Sequence, residues 1–207
     1  MISVLLWDCD GVLQHTARDW GAALDERGGP GLARRVFAAE GPALRGETTL
    51  AAALEIALVE HEAATGSRPV EVPELLAMWE SVELDPQAVE VLEQVRSRGV
   101  SCHLATNQQD HRVRHMREVM GYDALVDGSF YSSLLGVAKP DPVFFERVLD
   151  ALGVPAHDVG FVDDVVTNVE AAAALGIRAV HHDPATGAAG LRRDLEPLVP
   201  GLVAVGA

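Results

Sequence analysis

The chain is predicted to be an α/β protein, with a Rossmann-like parallel sheet carrying helices on both faces and an inserted small α-helical bundle. Three observations predict it. From Asp85 onward, short apolar runs alternate with single amphipathic helices, the pattern of a parallel sheet. A further apolar run, Ile2 to Trp7, ends in two acids and a glycine well before that alternation begins. Between the two, residues 14–83 carry helical periodicity only. Residues 1–13 and 84–207 are therefore expected to form one core, and 14–83 a bundle inserted into it.

In order, Ile2 to Trp7 reads as a buried strand. Ala17 to Arg27 is a helix on Trp20, Ala23 and Leu24, stopped by Gly28-Gly29-Pro30. Gly31 to Glu40 repeats the pattern with Leu32, Val36 and Phe37. Thr48 or Thr49 caps a longer helix closed by Gly66, and Pro73 to Val82 makes a fourth. Asp85-Pro86 is a cap followed by proline at the first helical position, and that helix ends at Gly99. Val100 to Ala105 is a strand, Asp110 to Met120 a helix, and Asp127 to Leu135 strand-like. Asp141-Pro142 opens a helix that ends at Gly153. Val159 to Val162 is a strand, Thr167 to Leu175 a helix, and Ile177 to His181 the last strand. Leu191 to Leu198 is helical, and the final nine residues have no assignable pattern.

The formal charge of −15 argues against nucleic acid or an anionic membrane surface as a partner. No apolar run is long enough to span a membrane, and no signal peptide is read at Met1, so a cytoplasmic protein is expected. Oligomeric state is open between monomer and homodimer. Cys9 and Cys102 sit in apolar strand-like context and read as buried thiols. Of the 16 basic residues, 15 are Arg and one is Lys, Lys139, placed just before Pro140-Asp141-Pro142.

In a parallel sheet all strands present their C-terminal ends on one edge, where ligands bind. The first strand ends at Asp8 and Asp10, which project the same way if the chain stays extended. Gly11 follows where the backbone must turn. The second strand ends at Thr106-Asn107, the third leads to Lys139, and the fourth ends at Asp163-Asp164. Two carboxylates about 4 Å apart repel by roughly 4 kcal/mol at an effective dielectric of about 20. Four in one cleft call for a cation, and oxygen-only donors select a hard one, Mg²⁺ first. Cation, ammonium, hydroxyl and backbone N–H groups together suit a phosphoryl dianion approaching an aspartate.

The motifs resemble those of the haloacid dehalogenase-like hydrolases. Asp8 to Val12 matches the first motif, Thr106-Asn107 the second and Lys139-Pro140 the third. Phe161-Val162-Asp163-Asp164 with Asn168, Ala171 and Gly176 matches the fourth, and the inserted bundle resembles a helical cap of the C1 type. The resemblance implies a Mg²⁺-dependent phosphatase acting through an aspartyl phosphate. Asp8 would be nucleophile and metal ligand, and Asp10 the acid/base, with its backbone carbonyl on the metal. Thr106 and Asn107 would hold the phosphoryl group and Lys139 would offset charge. Asp164 would bind the metal directly and Asp163 through water.

Asp10 argues against a dehalogenase, and the absence of Lys in residues 14–83 against a phosphonatase. A sugar phosphomutase stays open as the alternative, because Arg45 beside Gly46 would suit a second phosphate. A non-catalytic phosphoacceptor or binding protein is a further reading. His15, Gln108 and Arg45, with Gln14 and Gln109 as neighbours, are expected to line the leaving-group pocket of a small phosphate ester. The stretch His111, Arg112, Arg114, His115, Arg117 reads as a solvated helix face.

Overall fold

A computed structural model describes residues 2–16 and 19–203. Its elements run β1 (Val4–Trp7), β2 (Gln14–Thr16), α1 (Trp20–Gly28), α2 (Leu32–Leu44), α3 (Leu50–Thr65), α4 (Val72–Trp79) and β3 (Val82–Leu84). There follow α5 (Pro86–Ser97), β4 (Ser101–Thr106), α6 (Asp110–Glu118), α7 (Tyr122–Leu125), β5 (Gly128–Tyr131) and α8 (Ser132–Leu135). The chain finishes with α9 (Pro142–Leu152), β6 (Val159–Asp163), α10 (Val166–Ala174), β7 (Arg178–His181) and α11 (Gly187–Leu195).

Five strands form a parallel sheet in the order β5-β4-β1-β6-β7, with the first strand at its centre. Period-two alternation divides β1 between two cores. Leu5 and Trp7 face α5, α6 and α11, whereas Val4 and Leu6 face the layer of α9 and α10. Burial on both faces is why β1 and β6 read as unbroken apolar runs.

Helices α1 to α4 pack around a separate core that includes Leu24, Val36, Leu54, Leu58, Leu75 and Trp79. Caps set their limits as expected in several places: Thr49 accepts from the Ala52 N–H, Gly66 closes α3, and Asp85 accepts from Gln87 and Ala88. The expected start at Ala17 lies outside the described residues, as do 204–207.

Four expectations change. Gln14-His15 and Val82 belong to no helix; β2 and β3 pair antiparallel, Gln14 opposite Leu84 and Thr16 opposite Val82, and join the helical insert to the sheet. Strand β5 is short, and Ser132 to Leu135 turn helical after it. Helix α2 continues through Gly41 and Pro42 to Leu44. The tail from Val199 to Val203 is ordered by Glu196, whose carboxylate accepts from the N–H groups of Gly201, Leu202 and Val203, while Val199 and Leu202 enter the core.

The insert also meets the sheet domain through backbone. Leu50 N–H at the start of α3 donates to Asp110 at 2.8 Å. Gly46, at φ +68°, lies so close to Ser133 that a Cβ there would stand 2.2 Å from the Ser133 carbonyl oxygen. Gly66 has φ +73° and open space around it. Gly66→Ala is expected to carry only the left-handed strain, about 1–2 kcal/mol, and Gly46→Ala that strain plus the collision. In thermal melts Gly46→Ala should lower Tm at least about twice as far as Gly66→Ala. Equal shifts would mean that the insert does not rest on Ser133.

Candidate active site at the sheet edge

Strand register brings the polar ends together. Trp7 lies level with Leu104 on one side and Val162 on the other. The next residues on the central strands, Asp8, Ala105 and Asp163, therefore emerge at the same edge, and Asp8 N–H continues the ladder to the Val162 carbonyl at 3.0 Å. A cleft of about 210 Å³ there is lined by Asp8, Asp10, Thr106, Asn107, Lys139, Asp164, Val165 and Asn168.

Lys139 is the centre of this cleft, and it is no surface residue: only 5% of it is exposed. Its Nζ lies 2.9 Å from Asp8 Oδ1 and 2.6 Å from Asp163 Oδ2, with the Phe161 ring centroid 5.2 Å away. The Asn107 amide fixes its backbone in both directions, donating to the Lys139 carbonyl and accepting from its N–H, each at 2.9 Å. Burial works against the Lys139 charge, but Asp8 and Asp163 outweigh it and hold the ammonium above its usual range.

The acids differ in their surroundings. Burial pushes the Asp8 carboxyl up to about 7, with Lys139 pulling it down and Asp163 adding to the rise. Asp163 is fully buried and fully engaged: Oδ1 accepts from Val165 N–H and Asn168, Oδ2 from Lys139 and Asn168. The Asp164 side chain instead lies over Gly11, where a Cβ would come within 2.5 Å of its Oδ2; Gly11 also has φ +78°, so only glycine fits. Burial raises the Asp164 carboxyl, and Asp163 adds to the rise. Cys9 is a buried thiol pushed well above its usual range by burial, which disfavours the reactive thiolate; Cys102 is also buried and free.

Asp10 is arranged differently from a simple extension of β1. The chain turns after Asp8, with the Cys9 carbonyl accepting from the N–H groups of Val12, Leu13 and Gln14. The Asp10 carboxylate takes three donors: Gln14 Nε2 (3.0 Å) and Arg112 Nη2 (2.9 Å) on Oδ1, and Gln108 Nε2 (2.7 Å) on Oδ2. Arg112 thus departs from the expected solvated face. It is 1% exposed, with its guanidinium 5.4 Å from the Trp20 ring centroid. Helical periodicity counted it among five basic neighbours and had no means of separating the one turned inward.

The expected leaving-group residues divide. Gln108 is at the site but contacts Asp10, with a longer 3.4 Å contact to Thr106 Oγ1. Gln109 turns to the insert and donates to Glu40 Oε1 at 2.7 Å. His15 stands on the β2–β3 ribbon, exposed, 3.9 Å from Glu83, and lines a different cavity of about 140 Å³. Arg45 is exposed and held in a two-pronged pair with Glu47, at 2.6 and 3.0 Å. Neither is among the residues that line the cleft. Gln14, expected at the leaving-group pocket, holds Asp10 instead, and Asn168, read only as part of the fourth motif, holds Asp163.

Residues 2–176 match the haloacid dehalogenase-like hydrolase family. The chain belongs to that family. Among curated relatives of this hydrolase, Phosphatase MT3486 of Mycobacterium tuberculosis is 32% identical over 86% of each chain. Sesquiterpene phosphatase astK of Aspergillus oryzae is 35% identical over 47% of this chain, which spans about half the length of that relative. An HAD family enzyme of Bacteroides thetaiotaomicron, crystallised with magnesium and inorganic phosphate, shares the fold with a TM-score of 0.71 at 20% identity, covering 88% of this chain and 94% of its own. Among the described residues of the hydrolase no helix is long and apolar enough to cross a membrane.

The residues present fit a hard divalent cation. Asp8, Asp163 and Asp164 each offer an oxygen within 4.8 Å of the others, and all donors are oxygens. With Asp10 included, four carboxylates face one ammonium and one guanidinium among the described residues, an excess of two negative charges there. An aspartate whose folded-state pKa is about 7 and whose unfolded value is 3.8 subtracts stability progressively as pH rises between the two. A cation competing with the proton for Asp8 should restore that loss. Millimolar Mg²⁺ is therefore expected to raise Tm by about 4 °C or more at pH 8 and by less than about 1 °C at pH 5. Equal shifts at both pH values would remove Asp8 from the metal site.

Proposed function

We propose that this phosphatase-type hydrolase cleaves the phosphate monoester of a small metabolite in two steps, with Asp8 as nucleophile and Mg²⁺ as cofactor. The observation that carries the reading is Lys139, buried between Asp8 and Asp163 at an edge that also presents Thr106, Asn107 and Asp164. A buried ammonium against the nucleophile offsets the repulsion between a carboxylate and an incoming phosphoryl dianion. The phosphatase names of its relatives and the phosphate bound by its structural neighbour support the same chemistry.

In the first step Asp8 attacks phosphorus, the bond to the ester oxygen breaks, and Asp10 gives that oxygen its proton, so that an alcohol leaves. In the second, water attacks the aspartyl phosphate, Asp10 takes its proton, and Asp8 is released with inorganic phosphate. Thr106 and the Asn107 N–H hold the phosphoryl oxygens. The metal, when bound, neutralises charge on the phosphoryl oxygens; Asp8, the Asp10 carbonyl and Asp164 would hold it, with Asp163 acting through water. One contrast supports that ranking of the last two acids. Asp163 has both oxygens engaged by four contacts, while Asp164 makes no such pairing through its carboxylate among the described residues. Helices α1 to α4 would serve as a cap over the cleft. The phosphomutase alternative relied on Arg45 for a second phosphate, and the Glu47 pair that neutralises Arg45 gives that reading no support.

Asp8→Asn is expected to abolish turnover with the fold retained, and excess EDTA to do the same to the wild-type protein. Lys139→Ala should lower kcat/KM at least about a hundredfold, about 2.7 kcal/mol of transition-state stabilisation; a loss below about threefold would reduce Lys139 to a packing role. Mg²⁺ titrations should separate the acids of the fourth strand end. Asp164→Asn is expected to weaken binding more than Asp163→Asn, and the opposite order would reverse their assignment.

A further inference from the structure

We propose that Arg112 is the positioning residue of the acid/base: together with Gln14 it decides which oxygen of Asp10 carries the proton. The proposal rests on the phosphatase reading above. A carboxylate oxygen has about two acceptor sites. On Oδ1 both are filled, by Gln14 Nε2 at 3.0 Å and Arg112 Nη2 at 2.9 Å. On Oδ2 one is filled among the described residues, by Gln108 Nε2 at 2.7 Å. A proton on Oδ1 would face two N–H groups; on Oδ2 it has a vacant direction. Oδ2 is therefore the oxygen that protonates the departing ester oxygen and later receives the proton of water.

The donors on Oδ1 are themselves held. Tyr122 O–H donates to Gln14 Oε1 at 2.9 Å, which turns the Gln14 amide nitrogen towards Asp10. Arg112 reaches Asp10 from α6 with its guanidinium against Trp20 of α1. Its placement is a poor one for stability alone, because the guanidinium is buried and, among the described residues, its Nε has no hydrogen-bond partner. Sequence periodicity offers no hint of it, and Arg112 lies outside the residues that line the cleft, so it acts through Asp10 and not on the substrate.

The test uses leaving groups of one shape and different acidity. Phenyl phosphate needs a proton on its departing oxygen far more than p-nitrophenyl phosphate does, and kcat/KM reports the steps up to the aspartyl phosphate. In Arg112→Met, kcat/KM is expected to fall at least about tenfold further on phenyl than on p-nitrophenyl phosphate. Arg112→Lys, which keeps a charged donor, should recover part of the difference. Equal losses on both esters in folded Arg112→Met would overturn the proposal, leaving Arg112 as a structural residue. Should Arg112→Met fail to fold, Arg112→Lys and Gln14→Leu decide in its place, since each weakens the hold on Oδ1 and should show the same leaving-group dependence; uniform losses there also overturn it. If the wild-type protein turns over neither ester with Mg²⁺, the phosphatase reading falls and the proposal with it.

Discussion

A single ammonium between two buried carboxylates is the interaction on which the sheet edge depends. Lys139 Nζ is within 3 Å of both Asp8 and Asp163, and all three side chains are almost wholly removed from water. At such separations opposite charges attract by about 6 kcal/mol at an effective dielectric of about 20, and without that attraction the carboxylates would oppose folding of this edge. Much of the surrounding polar structure holds the trio in place. Asn107 grips the Lys139 backbone, Asn168 grips Asp163, and Val165 N–H, at the start of α10, donates to Asp163. Loss of the ammonium alone would leave buried charge uncompensated, a change on the order of 3–5 kcal/mol.

The two acids of the first strand end are kept chemically apart by their neighbours. Asp8 is buried, with the Lys139 ammonium between it and Asp163, and has its carboxyl raised to about 7. Asp10 is half exposed and wrapped by amides and a guanidinium. Two carboxylates in one cleft can serve as nucleophile and proton carrier only when their environments differ in this way. The turn at Cys9 to Gln14 produces the difference, because it removes Asp10 from the strand and swings it towards α6.

The loop after β4 links this chemistry to the insert. Within five residues, Thr106 and Asn107 face the cleft, Gln108 holds Asp10, Gln109 binds Glu40 of α2, and Asp110 caps α3. Glu40 also receives the Trp79 N–H at 2.9 Å, and burial raises its carboxyl against the pull of both donors. Movement of the helical insert would be felt along this loop, next to the Thr106 and Asn107 side chains that line the cleft.

The amino-acid sequence by itself determined the sheet, most helix limits and the identity of the convergent strand ends. Those features are written locally: in apolar runs, in caps such as Thr49 and Asp85, and in a parallel topology that puts all strand C-termini on one edge. It also marked Lys139, by making it the only lysine. Tertiary structure alone decided which polar residues serve those strand ends. Arg112 turned out to be buried against Asp10, while Arg45 pairs with Glu47 and His15 stands exposed away from the cleft. The β2–β3 ribbon was equally hidden, since its hydrogen bonds join residues nearly seventy positions apart. The physical reason is common to all of these. Periodicity reports which face of an element avoids water, but a salt bridge or a two-stranded ribbon depends on a partner supplied by distant chain, and no local pattern encodes that partner.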